Sequence, residues 1–153
     1  MSGDTITQAA GSAPGNAYYF DELEVGQKAS YTREVTDADI RAFAAVSGDN
    51  NPVHLDEAFA AEHTPFGSCI AHGLLSASYI STVAGTILPG PGAIYINQSL
   101  KFRAPVKAGD VVVAEVEVMD LIEKRGFVQL ATRCLVDGKA VLEGEATLMP
   151  PKR

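Results

Sequence analysis

Residues 71–87, AHGLLSASYISTVAGTI, decide the fold of this chain. Apolar side chains occur on nearly every side of the helix that this segment would form: Leu74, Leu75, Ala77, Tyr79, Ile80, Val83, Ala84 and Ile87. A helix that is apolar all round is buried between other elements. The prolines and glycines of residues 89–92 end it. The segment therefore predicts one long, buried central helix.

The chain after this helix has the pattern of β-strands. Four runs rich in apolar and β-branched residues follow, at residues 94–102, 111–122, 127–136 and 140–149. Glycine-containing turns at residues 124–126 and 137–138 join the last three runs as hairpins. Successive antiparallel strands beside one buried helix predict an α+β fold, in which a curved antiparallel sheet wraps the helix.

The residues before the central helix predict one strand and two smaller helices. Residues 27–35 have strand character, and Thr36 followed by Asp39 resembles a capping box that starts a helix. Its apolar face would carry Ile40, Phe43, Ala44 and Val46. Residues 49–54 are expected to form a loop, because Pro52 lacks a backbone donor. A short helix is expected at about residues 56–62.

Length and charge limit the classes of function. A chain of 153 residues fits a single domain, which we place at residues 18–153. The formal net charge is −7 and Lys and Arg form no cluster, so neither nucleic acid nor an anionic membrane is expected as a partner. No run approaches the roughly 18 apolar residues of a membrane span. An anionic ligand would have to be held by a few local groups.

Residues 1–17 are expected to form a disordered tail. They are rich in Gly, Ser, Ala, Thr and Asn, with one acidic residue and no Lys or Arg, and they lack the pattern of a secretory signal. Cys69 and Cys134 lie far apart and make neither a disulfide framework nor a zinc motif. The composition therefore favours the cytoplasm.

The apolar strands also predict a homodimer. An open antiparallel sheet leaves an edge strand whose N–H and C=O groups are unpaired. The strands of this chain are rich in Val, Ile and Leu. Pairing with a second copy of the chain would cover such an edge.

Residues 47–54, SGDNNPVH, carry a carboxylate and an imidazole five residues apart. Asp49 accepts protons at pH 7, and His54 can accept or donate a proton near that pH. The two side chains suit acid–base catalysis on a water molecule, with Asn51 available to hold either one. Spacing alone leaves a structural role open, in which Asp49 caps a turn and His54 packs against its neighbours.

The pattern Asp-x-Asn-Pro-Val-His at residues 49–54 resembles the hydratase motif of the MaoC-like and (R)-specific enoyl-CoA hydratases. Two further segments resemble the same family in order and spacing. They are AHGL at residues 71–74, and SLKFRAPV at residues 99–106 followed by Gly109-Asp110. The resemblance covers nearly the whole chain after Phe20.

This resemblance implies a hot-dog fold, a homodimer and an acyl-CoA substrate. The implied reaction is the reversible hydration of trans-2-enoyl-CoA to (R)-3-hydroxyacyl-CoA, in fatty-acid metabolism or the supply of polyhydroxyalkanoate precursors. No metal and no organic cofactor is implied, since coenzyme A is part of the substrate. Asp49 and His54 would be the catalytic residues, with the roles of acid and base left undivided. The Gly73 N–H, in the first turn of the central helix, would stabilise the enolate oxygen.

Other polar residues are weaker candidates. His72 adjoins Gly73 and is expected to support the site by orienting or packing. Ser81 would lie on the central helix and line the acyl pocket, unless it bonds to its own helix. Lys101 and Arg103 would meet the phosphates of coenzyme A, or else be ordinary exposed charges on a strand.

Two other functions stay open. A hot-dog acyl-CoA thioesterase would share the fold and the ligand, and many such enzymes carry a catalytic acid on the central helix. No Asp or Glu lies between Cys69 and Leu88, which disfavours that function. A non-enzymatic acyl-CoA-binding module would need no paired acid and base, so Asp49 and His54 disfavour it as well.

Overall fold

The computed structural model of the chain describes residues 5–7 and 11–153. The α-helices in the described residues are α1 (Asp37–Ser47), α2 (Pro52–Leu55), α3 (Glu57–His63) and α4 (Gly73–Thr86), and two short 3-10 helices lie at Pro14–Asn16 and Phe20–Glu22. The strands are β1 (Thr5–Thr7), β2 (Lys28–Glu34), β3 (Ile94–Gln98), β4 (Lys101–Phe102), β5 (Val111–Ile122), β6 (Phe127–Val136) and β7 (Lys139–Met149). None of the described helices is long and apolar enough to cross a membrane.

The strands form one antiparallel sheet in the order β1-β2-β5-β6-β7-β3, with β4 also paired to β7. Alternate residues of β5 face the core: Val112, Ala114, Val116 and Val118. The turn from β6 to β7 contains Asp137 and Gly138, whose φ angles of 50° and 76° suit a two-residue hairpin. Helix α4 packs against β2, β5, β6 and β7. The predicted α+β arrangement of one helix against a sheet is confirmed.

Helix α4 is buried on the side that faces the sheet. That side carries Leu75, Ser76, Tyr79, Ile80, Val83 and Ala84. The opposite side is open in the single chain: Leu74 is 56% exposed, and Ser78 and Ser81 are also exposed. The prediction of a helix buried all round is therefore wrong for one chain, because the sheet covers only one of its faces.

Helix α1 begins at the predicted capping box. The Thr36 side chain accepts a hydrogen bond from the Asp39 N–H at 3.1 Å, and Asp39 accepts one from the Thr36 N–H at 3.2 Å. Asp39 also receives two hydrogen bonds from Arg33 on β2, which lower the pKa of the Asp39 carboxyl. The ion pair between Arg33 and Asp39 links α1 to strand β2. Val46, expected on the buried face of α1, is instead 84% exposed.

The segment 11–17 corrects the predicted disordered tail of residues 1–17. Ala13 and Ala17 are buried, and the Ala13 N–H donates to the Ala17 carbonyl at 2.9 Å. The neighbouring Tyr18 N–H donates to the Pro89 carbonyl at 2.8 Å. Strand β1 also falls within the predicted tail, whose residues 1–4 and 8–10 lie outside the described residues. The small side chains that suggested disorder instead allow close packing.

The predicted loop at residues 49–54 contains helix α2. Pro52 stands at the first helical position, where its missing N–H removes no intrahelical bond. Asn51 caps the helix, because its side-chain oxygen accepts from the Val53 N–H at 3.1 Å. His54 therefore projects from a turn of helix rather than from a loop.

Candidate active site

A cavity of about 450 Å³ opens beside the N-terminus of α4. Its walls are largely apolar and include Phe66, Ile70, Leu74, Phe102, Val106 and Leu142. The polar side chains on its walls are Asp49, His54, His72, Ser76 and Arg103. All of these except Ser76 are among the residues that the sequence predicted for the site.

Asp49 is placed by the end of α1. Gly48 ends that helix in the left-handed conformation, with φ of 80°. The Asp49 N–H then donates to the Ser47 Oγ atom at 3.1 Å, and Asp49 Oδ1 accepts from the Asn51 N–H at 3.2 Å. Asn51 thus holds the Asp49 carboxylate through its backbone, while its own side chain caps α2.

The orientation of His54 is set by a main-chain carbonyl. Its Nδ1 atom lies 2.8 Å from the Ile70 carbonyl oxygen. A carbonyl oxygen only accepts hydrogen bonds, so Nδ1 carries the hydrogen. In the neutral ring, Nε2 then has a free lone pair with which His54 can accept a proton.

His72 lies between the helix and the Asp49 loop. It is the residue just before α4, is 2% exposed, and donates from Nε2 to the Asp49 carbonyl oxygen at 2.9 Å. Its ring stacks on that of His54, with centroids 3.8 Å apart. One side-chain oxygen of Asp49 and one ring nitrogen of each histidine all lie within 4.8 Å of one another.

Gly73 is the first residue of α4, and its N–H has no intrahelical acceptor. The positive end of the helix dipole adds to the attraction for a negative charge at this point. A methyl group built on Gly73 would overlap the Phe102 ring. The absence of a side chain therefore allows both the ring and a ligand to approach the backbone.

The remaining predicted residues are only partly brought to the cavity. Arg103 lines it and pairs with Glu143, at 2.8 Å between Nε and Oε1. Lys101 is exposed on β4 and is not among the lining residues. Ser81 is on the open face of α4 and does not line the cavity either. The expectation of Ser81 in this pocket is not met within one chain.

Ser76 was not predicted from the sequence. This residue lies in the first turn of α4 and lines the cavity. No periodic signal marked it, because the helix is apolar on nearly every side. Neither cysteine lines the cavity, and burial raises the pKa of the Cys134 thiol to about 12.

An antiparallel sheet packed on one helix, with an acid–base cluster at the N-terminus of that helix, defines an α+β domain of the hot-dog class. The model of the MaoC-like domain family matches residues 21–139. The chain belongs to the MaoC-like domain family.

Similar proteins agree in sequence and in structure. The chain is 52% identical over 136 residues to the (R)-specific enoyl-CoA hydratase of Rhodospirillum rubrum, covering 89% of this chain and 94% of that protein. It is also 52% identical over 135 residues to the 3-hydroxybutyryl-CoA dehydratase of Methylorubrum extorquens, covering 88% and 85%. Unliganded R-hydratase PhaJ1 from Pseudomonas aeruginosa superposes with a TM-score of 0.82 at 50% identity, covering 88% and 86%. These likenesses bear out the hot-dog fold.

Proposed function

We propose that this protein is an (R)-specific enoyl-CoA hydratase, which reversibly adds water to trans-2-enoyl-CoA to give (R)-3-hydroxyacyl-CoA. The named relatives of about half identity support this reaction. The observation that carries the proposal is the placement of Asp49, His54 and Gly73 on the wall of one largely apolar cavity.

Asp49 and His54 act as one acid–base pair in this proposal. One proton leaves the attacking water for the pair, the water oxygen bonds to C3, and the pair returns one proton to C2. The pair gains no net proton. The free Nε2 lone pair of His54 and the carboxylate of Asp49 both suit the first step.

The negative charge that develops during the addition lies on the thioester oxygen. The Gly73 N–H, unpaired at the start of α4, would donate to that oxygen. Arg103 at the rim would meet a phosphate of coenzyme A, after exchanging its bond with Glu143. Lys101 is left as an exposed charge nearby.

We further propose that the reaction needs no metal ion and no organic cofactor. The stacked rings of His54 and His72 are inclined by only 26°. Imidazole lone pairs lie in the ring plane, so stacked rings hold their lone pairs in two nearly parallel planes, with the ring centroids 3.8 Å apart. An ion that must lie about 2.0–2.1 Å along both lone pairs is poorly served by this geometry.

A homodimer is the proposed assembly. Strand β3 ends the sheet and pairs only with β7 within residues 5–7 and 11–153. Its residues Ile94, Tyr95 and Ile96 are exposed in the single chain. A second copy would cover both this edge and the apolar residues.

The proposed compartment is the cytoplasm. Cys69 and Cys134 are both free thiols, as expected in a reducing environment. Fractionation of the source cells, with the protein followed by an antibody, tests this proposal. Recovery with secreted proteins would contradict it.

The thioesterase alternative is less well supported. Helix α4 contains no Asp or Glu on any face. A binding module without activity would not need the acid–base pair.

Free thiol release and loss of the enoyl absorbance, measured on one sample of trans-2-enoyl-CoA, separate the three functions. Thiol release faster than the loss of absorbance would overturn the hydratase proposal, and no turnover above the buffer rate would favour the binding module.

The acid–base pair is tested by Asp49→Asn and His54→Ala. Each substitution is expected to lower the turnover of crotonyl-CoA by about two to four orders of magnitude, which is typical for loss of a positioned acid or base. The double variant should be scarcely slower than either single variant, since two residues that serve one step act as a unit. Losses that multiply in the double variant would contradict a shared step.

A further inference from the structure

The segment between α3 and α4 forms one wall of the cavity. Residues 65–68 lie in turns and bends rather than in a helix or a strand. Phe66 lines the cavity from this segment, and Ala104, Pro105 and Val106 line it from the loop after β4. Two irregular segments therefore border the same cavity, and its width depends on the bonds between them.

Lys107 forms a bond between these two segments. Its Nζ atom donates to the Phe66 carbonyl oxygen at 2.9 Å, across 41 positions of the chain. The lysine is half-buried, and none of the salt bridges within residues 5–7 and 11–153 includes it. A hydrogen bond from a charged donor is stronger than one between neutral groups. The Phe66 carbonyl is thus a strong partner of this ammonium group.

The backbone that carries Lys107 is firmly held. Asp110 Oδ2 accepts from the Lys107 N–H at 2.9 Å, and the Asp110 N–H donates to the Lys107 carbonyl at 3.0 Å. The Gly109 N–H donates to the Val35 carbonyl at 2.7 Å, and the Val35 N–H donates to the Asp110 carbonyl at 2.9 Å. Val35 is fully buried, so these bonds anchor the turn on the core.

The other end of the bond is held less firmly. The Phe66 N–H donates to the Thr64 Oγ1 atom at 3.3 Å, a longer bond than the one from Lys107. Gly67 follows in the left-handed conformation, with φ of 72°, and a methyl group built there would meet no atom within 4 Å. An exposed turn with few contacts of its own is easily displaced. Lys107 therefore joins an anchored turn to a loosely held one.

We propose that Lys107 is a positioning residue that holds Phe66 on the cavity wall. The inference rests on the proposed function, which makes this cavity the binding site of acyl-CoA. With the bond in place, Phe66 presents a fixed apolar surface to the ligand. Without the bond, the ligand has to order the segment on binding, and that loss of entropy weakens binding.

The orientation of the acid–base pair does not depend on this bond. The Ile70 carbonyl, which orients His54, lies at the far end of the same segment. That end has its own tie, because the Ile70 N–H donates to the Val53 carbonyl at 3.2 Å. Loss of the Lys107 bond should therefore raise KM and leave kcat nearly unchanged.

Direct binding of a phosphate is the competing role for Lys107. The ammonium group has three hydrogens, and the bond to Phe66 uses one of them. An interaction with a phosphate of coenzyme A would not depend on the Phe66 side chain, and it would weaken with salt. A second substitution at Phe66 separates the two roles.

The test is a double-mutant cycle of Lys107→Met and Phe66→Ala. Met has about the length of Lys and no hydrogen-bond donor. Lys107→Met should raise the KM for crotonyl-CoA, and the dissociation constant of butyryl-CoA in calorimetry, by about three- to tenfold, the effect of one net hydrogen bond. The change in kcat should stay within about twofold. Lys107→Arg keeps a donor and should restore both constants, and Lys124→Met, an exposed lysine in the turn between β5 and β6, is the matched control and should change neither.

Phe66→Ala alone should raise KM at least as far as Lys107→Met does. Adding Lys107→Met to it should have almost no further effect, because the side chain that the bond positions is gone. The same loss with and without Phe66, fading at high salt, would overturn the inference in favour of phosphate binding. Unchanged constants, or a fall in kcat alone, would overturn it as well.

Two further measurements separate this inference from folding and from the proposed function. Lys107→Met removes a half-buried charge and should fold, which thermal unfolding checks. A chain whose binding of butyryl-CoA responds to these variants as stated, yet which hydrates no enoyl-CoA, would end the proposed function and leave the positioning role standing. A chain that hydrates crotonyl-CoA with constants that no Lys107 variant alters would do the reverse.

Discussion

His54 and His72 each form one hydrogen bond from a ring nitrogen to a main-chain carbonyl oxygen. His54 bonds to the Ile70 carbonyl, and His72 bonds to the Asp49 carbonyl. Each bond decides which nitrogen carries the hydrogen, and in the neutral ring the other nitrogen is then an acceptor. Asp49 is held in the same manner, by the Asn51 N–H. The geometry of the acid–base pair therefore depends on the path of the backbone, which the caps of α1 and α2 fix.

His72 should act as a positioning residue through its bond to the Asp49 carbonyl. His72→Gln places an amide N–H near the position of Nε2 and should retain turnover within about threefold, whereas His72→Ala should lose about tenfold to a hundredfold through misplacement of the pair. The measurement is kcat and KM for crotonyl-CoA across pH. Equal losses in the two variants would mean that His72 contributes packing and not the hydrogen bond.

Gly73→Ala should lower turnover by about a hundredfold if the Gly73 N–H serves the thioester oxygen, because its methyl group crowds that oxygen. The overlap with Phe102 complicates this variant, although that ring is 54% exposed and can turn away. Phe102→Ala removes the overlap and should itself lower turnover by less than Gly73→Ala does. The hundredfold loss should persist when both substitutions are combined. A double variant as fast as Phe102→Ala alone would show that displacement of the ring, and not the N–H, caused the loss.

The strands and turns were the most predictable elements. The predicted bounds of β5 and β6 agree with the structure, because alternating apolar residues and glycine turns are local signals. The predicted strand at residues 94–102 is instead divided into β3 and β4. A side chain at Gly144 would overlap the Ser99 carbonyl, so the chain passes close over β7 there. That close approach is a contact between residues far apart in sequence, so no local sequence pattern predicts it.

The candidate site was predictable where a motif carried it. Asp49, His54 and Gly73 reach one cavity as the resemblance implied. The rotation of α4 about its axis was not predictable, because a helix with apolar residues on every side gives no preferred inward face. For this reason Ser81 was expected in the pocket, while Ser76 was missed.

Residues 11–17 provide a test between the sequence expectation and the structure. Ala17→Asp should lower the free energy of unfolding by about 2–4 kcal/mol, since it buries a charge without a partner. Asn16→Asp adds the same charge at an exposed neighbour and should change stability by less than about 0.5 kcal/mol. Urea unfolding of both variants decides the matter. If neither substitution changed the free energy of unfolding, residues 11–17 would be disordered, as the sequence predicted.

One group of exposed apolar side chains lies near the end of the sheet. Exposed apolar residues occur on β3, on β4 and in the first turn of α4: Ile94, Tyr95, Ile96, Phe102 and Leu74. Two of them, Phe102 and Leu74, also form walls of the cavity. Covering this surface would therefore stabilise the chain and shield the acid–base pair from water in one step.

The parent chain should accordingly sediment at the mass of two chains at micromolar concentration. Ile96→Lys places a charge on the exposed edge strand and should shift the protein toward one chain, because a lysine on an edge opposes pairing. Its turnover should fall as well, since the cavity wall loses its cover. Val25→Lys is the matched control, an exposed apolar residue outside the strands and helices, and should keep both mass and turnover. A parent that is active as one chain, or an Ile96→Lys variant that still sediments as two, would refute pairing through β3.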